Sequence, residues 1–190
     1  MIEILLICFL CLFQSYISTY MSKKIKIFNF FHISLFLLIL FFYFIFSPTV
    51  RLGNIFYGIL IGISAFLFLG IPMFLWEAKK QKKITSNPKS KFKKILEYLL
   101  VVSPTEEIMF RGIIFSIVLP YGLVFAILFQ AFLFSIWHLK FNREFLIKIF
   151  IFGIIFELLY IVSGSILTPI LFHALLNIGE FTVKPLFIKK

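Results

Sequence analysis

Long apolar runs separated by short, lysine-bearing breaks set the pattern of this chain. Seven runs stand out, at about Ile4–Tyr20, Ile27–Phe46, Asn54–Trp76, Ile95–Leu119, Gly122–Leu139, Phe145–Val162 and Ile166–Thr182. Each approaches or reaches the ~17–25 residues that a helix needs to cross a bilayer. The pattern predicts an all-α fold, a polytopic membrane helix bundle of about seven transmembrane helices forming a single membrane domain over residues 1–190. Residues 1–76 read as scaffold, their three spans carrying almost no polar side chains, residues 77–94 as a basic cytoplasmic loop, and residues 92–182 as the part that keeps polar groups inside apolar runs. The fourth run reads as broken. Ser103 can cap a helix, Pro104 suits its first position, and Glu106 completes an S-x-x-E capping box. A separate amphipathic helix is therefore expected over Phe92–Val102. A spanning helix should follow from Pro104 to Leu119, roughly 24 Å long at 1.5 Å per residue.

Composition supports the bilayer reading. Hydrophobic residues make up 62% of the 190, charged residues only 14%, and Asp is absent; a soluble domain carries about a quarter charged residues. The net charge of +11 does not point to nucleic acid, because its location is a topology signature instead. Lys23, Lys24 and Lys26 fill the first loop, and eight Lys lie between Lys79 and Lys94. Lys140, Arg143 and Lys148 follow the fifth run, and Lys184, Lys189 and Lys190 form the tail. Of the 19 cations only Arg51 and Arg111 lie elsewhere. That asymmetry puts the N-terminus outside and the C-terminus in the cytoplasm of a multi-pass cell-membrane protein. Met1-Ile2-Glu3 lacks the positive start of a signal peptide. Cys8 and Cys11, spaced C-x-x-C, read as small apolar residues of the first span. The Lys-rich loop reads either as a solvated cytoplasmic segment or as a contact for anionic headgroups.

Against this background the few intramembrane polar residues are conspicuous. Each charge near a bilayer centre costs ~2.5–3.5 kcal/mol on insertion scales, yet Glu106, Glu107 and Arg111 fall within six residues. Glu107 and Arg111 are four apart, neighbours on one helix face, and predict a structural ion pair. Glu106 is turned ~100° away from Glu107 and becomes the candidate for chemistry, with helix capping as its competing role. His32 reads as interfacial. His138 ends the run Phe134-Ser135-Ile136-Trp137-His138 near the cytoplasmic side. His173 and Asn177 are four apart inside the last run and share a face, which points them into the bundle or a wet cavity. Helix–helix hydrogen bonding is the alternative use of that pair. The depths of Glu106, His138, His173 and Asn177 agree to on the order of 10 Å, so the four can converge on a cavity open to the cytosol. Glu157, late in the sixth run, reads as approaching the outer surface rather than lining the same cavity.

Three motifs in order, Glu106-Glu107-x-x-x-Arg111, Phe134-x-x-x-His138 and His173-x-x-x-Asn177, resemble the CPBP family of intramembrane proteases, also called the CAAX protease and bacteriocin-processing or Abi family. The resemblance covers roughly Phe92–Thr182, the stretch it marks as a CPBP-like catalytic core. It implies hydrolysis of a peptide or protein substrate at the membrane, with Glu106 and His138 activating water. It further implies His173 and Asn177 as donors to the oxyanion, and the Glu107–Arg111 pair as a structural brace.

The chemistry has its own logic, since amide hydrolysis needs an activated water, a proton shuttle and an oxyanion donor. No cofactor is favoured. Zinc held by Glu106, His138 and His173 is the alternative, assembled across helices because the local H-E-x-x-H spacing is absent. Two other classes stay open. One is a non-proteolytic bacteriocin self-immunity protein. The other is a proton-coupled transporter, which the absence of paired broken repeats disfavours.

Overall fold

A computed structural model provides the structure. It describes residues 7, 10, 37–41, 44–45, 48–78, 95–138 and 142–182. Most of the first two apolar runs, Cys8, Cys11, His32, the basic loop from residue 79 and the lysine tail lie outside the described residues. Among those described every regular element is helical.

The chain divides into two compact units. One draws on Met1–Arg51 and Thr105–Leu158, the other on Leu52–Pro104 and Leu159–Lys190. In chain order the α-helices are α1 (Ile55–Ala65), α2 (Ile71–Ala78), α3 (Ser103–Glu107), α4 (Phe115–Val118), α5 (Leu123–Ile136), α6 (Arg143–Ser163) and α7 (Leu167–Thr182). Wider π turns link several of them: Phe66–Gly70 joins α1 to α2, and Ile108–Ile114 joins α3 to α4.

The helix ends follow from local chemistry. Asn54 accepts a hydrogen bond from the Tyr57 N–H at 3.0 Å and starts α1. Asn142 does the same for Phe145 at 2.9 Å at the head of α6, where Glu144 also favours the positive end of the dipole. Gly164, with φ 63°, ends α6 in the left-handed conformation that suits glycine, and its N–H returns to the Tyr160 carbonyl at 2.9 Å. Ile55–Glu77 and Arg143–Ser163, 23 and 21 residues, are long and apolar enough to cross a membrane. Their outward faces are bare hydrocarbon: Phe68 is 78% exposed and Val162 70%. Such surfaces are stable against lipid tails and unfavourable in water.

The expected break at Ser103 does not occur. Ser103 is itself helical (φ −64°, ψ −43°), its N–H donates to the Tyr98 carbonyl, and its buried hydroxyl makes no hydrogen bond among the described residues. There is thus no capping box, and no separate helix ends at Val102. The reason lies one turn upstream. Tyr98–Val102 is a π turn with i→i+5 bonding. This widening accommodates the missing N–H and the ring of Pro104, which would otherwise break the helix.

In the second unit α7 packs on α1, on Phe66–Gly70 and on Tyr98–Val102. Gly58 and Gly62 let the backbones approach closely. A Cβ on Gly62 would stand 2.9 Å from the Thr168 carbonyl. Hydroxyls join the same surfaces, Thr168 Oγ1 donating to the Gly58 carbonyl at 3.0 Å and Ser165 Oγ to that of Leu52 at 2.5 Å.

Candidate active site

The first unit holds a charged cluster in an apolar shell. Glu107 and Arg111 are both 0% exposed and form the i,i+4 ion pair, with Arg111 Nη1 3.2 Å from each carboxylate oxygen. A pair sealed from water needs further hydrogen bonds to offset its desolvation, and α6 supplies one. Arg111 Nη2 donates to the Gly153 carbonyl of α6 at 3.3 Å, and Gln130 Nε2 of α5 donates to the same oxygen at 3.0 Å. Aromatic faces complete the cage. Arg111 Cζ lies 4.3 Å from the Phe134 ring centroid and 4.9 Å from that of Phe156, within the range of cation–π attraction.

This arrangement depends on close approach of α5 and α6. A Cβ on Gly153 would fall 2.9 Å from Ala131 Cα and 3.0 Å from Ala131 Cβ. Glycine opposite alanine lets the Gly153 carbonyl reach donors from two directions. Sequence reasoning missed Gly153 and Gln130. The available signal was Gln130 itself, the one strongly polar residue in the apolar run Leu123–Ile136.

Glu106 precedes this pair and is 5% exposed. Arg111 is within electrostatic reach of Glu106, Glu107 and Glu157. His138 follows the C-terminus of α5 and is half-buried. Its Nδ1 sits 2.9 Å from the Phe134 carbonyl. A carbonyl only accepts, so Nδ1 carries the proton in this contact. Neutral His138 then presents an unprotonated Nε2, the nitrogen a base or metal ligand needs. The Phe134 ring packs edge-on against the imidazole, centroids 5.0 Å apart, and fixes its plane further. Phe134 therefore serves both partners: its ring covers Arg111 and its carbonyl orients His138.

Glu157 is 0% exposed and lies within electrostatic reach of Arg111 and Glu107. Its burial beside that segment is a tertiary contact, which its position late in an apolar run does not reveal.

His173 and Asn177 stand in the second unit, on α7. His173 is 8% exposed and Asn177 half-buried, one turn apart as their spacing requires. The four sequence-predicted site residues are thus divided, Glu106 and His138 in one unit and His173 and Asn177 in the other. Within the first unit Glu106 and His138 are chemically suited to hold a metal ion, as carboxylate and imidazole; the third donor considered, His173, belongs to the other unit.

Comparison with known proteins bears on this region. Residues 88–179 match the family described as type II CAAX prenyl endopeptidase Rce1-like. That stretch contains Glu106, Glu107, Arg111, His138, His173 and Asn177. No curated protein and no solved structure matches the chain.

Proposed function

Because residues 88–179 are an Rce1-like domain of the CPBP family, a family of membrane-embedded CAAX-type proteases, we propose that this chain is an intramembrane endopeptidase whose base is Glu106. The observation that carries the reading is the division of labour between adjacent carboxylates. Glu107 is committed to Arg111 in a sealed pair, while Glu106, one residue earlier, retains slight exposure. An enzyme needs one of these to stay fixed and the other to exchange a proton.

In the proposed reaction Glu106 takes a proton from water as the water oxygen attacks the scissile carbonyl carbon. His138, held through Nδ1 by Phe134, presents Nε2 to the same water and orients it. The carbonyl oxygen gains the negative charge of the tetrahedral intermediate, and His173 and Asn177 are assigned as its hydrogen-bond donors. Collapse restores the carbonyl, breaks the C–N bond and passes the proton from Glu106 to the leaving amine. The substrate class is a CAAX-type prenylated peptide or a bacteriocin precursor. A zinc ion, if bound, would use Glu106, His138 and His173 and supply a polarised water. The seven-span topology, with the N-terminus outside and the C-terminus cytoplasmic, belongs to the same reading and is supported by the Lys/Arg asymmetry.

Cleavage of a prenylated C-terminal peptide by purified protein tests the reading, comparing wild type with Glu106→Gln, each with and without chelator. Loss of cleavage in the variant at unchanged folding is expected. Loss on chelation with recovery on zinc would identify the metal route. Absence of cleavage by well-folded wild type across farnesylated, geranylgeranylated and bacteriocin-leader peptides would favour the non-proteolytic immunity protein.

A further inference from the structure

One buried ionisable group has no part in the reaction proposed above. Glu157 is 0% exposed, and neither carboxyl oxygen has a hydrogen-bond partner among the described residues. It stands four residues after Gly153 on α6, and helical side chains lean toward the N-terminus. Glu157 therefore stands one helical turn from Gly153, on whose carbonyl Arg111 Nη2 and Gln130 Nε2 already converge. Arg111 Nε and Gln130 Oε1 of this cluster likewise lack hydrogen-bond partners among the described residues.

Charge decides what this means. Arg111, Glu107 and Glu157 are all sealed from water, and the rings of Phe110, Phe134 and Phe156 surround the guanidinium. Among the described residues Arg111 is the one cation of this cluster; it cannot neutralise two carboxylates, and an unbalanced charge in such a medium is strongly disfavoured. Glu107 already holds Arg111 at 3.2 Å. The charged groups facing Glu157 from the neighbouring segment are Arg111 and Glu107, with Glu106 also within reach of Arg111. From α5 the facing polar residue is neutral Gln130, and the titratable His138 ends the same helix.

We propose that Glu157 is a reserve counter-ion for Arg111, a positioning residue that rests as a neutral carboxylic acid while Glu107 holds the guanidinium. It releases its proton to the aqueous phase and takes over the ion pair when Glu107 is withdrawn. Its consequence for catalysis, keeping the segment that bears Glu106 in place, rests on the protease reading. The proton inventory does not.

Infrared spectroscopy of the full chain in lipid vesicles at neutral pH, without substrate, reads that inventory directly. Exposed carboxyls are ionised there, so a protonated-carboxyl band that shifts in D2O reports a buried acid. Wild type should show the band, and Glu157→Gln should lack it. Glu107→Gln should lack it too, because Glu157 then ionises, whereas Arg111→Met should roughly double it, since both acids stay protonated. In thermal unfolding the two single Gln variants should each be tolerated and the double variant should lose more than their sum. A band that survives in Glu107→Gln, or in Glu157→Gln, overturns the proposal, as do additive losses. If the double variant fails to fold, the infrared result on the single variants still decides. Because no substrate is involved, failure here is distinguishable from failure of the protease reading, which would abolish cleavage while leaving these bands as described.

Discussion

Gly153→Ala should destabilise the protein although it adds only one methyl group. The new Cβ would meet Ala131 Cα at 2.9 Å and Ala131 Cβ at 3.0 Å, against about 3.5–4.0 Å for a comfortable carbon–carbon contact. Neither neighbour can rotate away, so α5 and α6 must part. Overpacking of this kind costs ~1–3 kcal/mol. Parting also stretches the Arg111 Nη2 bond to the Gly153 carbonyl, already long at 3.3 Å, and a hydrogen bond from a charged group contributes ~1.5–3 kcal/mol. Ala returns ~1 kcal/mol of helix propensity relative to Gly. A net loss of about 2–4 kcal/mol follows, or on the order of 5–15 °C in Tm for a chain of this size. Fluorescence-monitored unfolding in detergent measures it. Ala131→Gly in the same background should recover part of the loss. Val162→Ala, on the same helix but 70% exposed, should change stability by no more than ~0.5 kcal/mol. An unchanged or raised Tm for Gly153→Ala would refute the close helix contact and the shared carbonyl with it.

Three further outcomes follow from the same geometry. Arg111→Met removes the cation of a sealed ion pair and should cost ~3–5 kcal/mol, with Arg111→Met/Glu107→Gln recovering part; additive losses in unfolding midpoints would mean the residues do not interact. Asn177→Ala should lower kcat ~10²–10³-fold with little change in Tm if its amide serves the oxyanion, whereas a parallel fall in stability would assign it to helix packing. In a chain lacking Cys8 and Cys11, cysteine tagging should label Ser86→Cys from the cytoplasm and Leu52→Cys from outside. Leu52 is chosen because its side chain is 63% exposed, whereas neighbouring Gly53 has φ 56° and abuts the Gly164 carbonyl. Labelling of both from one side would contradict the seven-span topology.

Local features were legible in the sequence and non-local ones were not. The Glu107–Arg111 pair needed only the helical repeat. Ser103-Pro104 misled because the start signal is real in isolation. The π turn at Tyr98–Val102 changes the hydrogen-bond register before the proline and lets the helix continue. The burial of Glu157 was not legible for a different reason. It is a tertiary contact, as is the close approach of α6 to α5, which a glycine and an alanine 22 positions apart in the chain decide together (Gly153 and Ala131). Phe134 shows both limits at once. Its place in F-x-x-x-H was readable, but its covering of Arg111 and its carbonyl contact with His138 required coordinates.

The central claim is that Glu106 takes the proton from water. Its most direct test is the cleavage rate of a prenylated C-terminal peptide by Glu106→Gln relative to wild type, with Tm recorded on the same samples. Glutamine keeps the side-chain shape but cannot accept that proton, so kcat should fall ~10²–10⁴-fold while Tm changes little. A variant that cleaves at close to the wild-type rate, or one that loses stability and activity in proportion, would contradict Glu106 as the base.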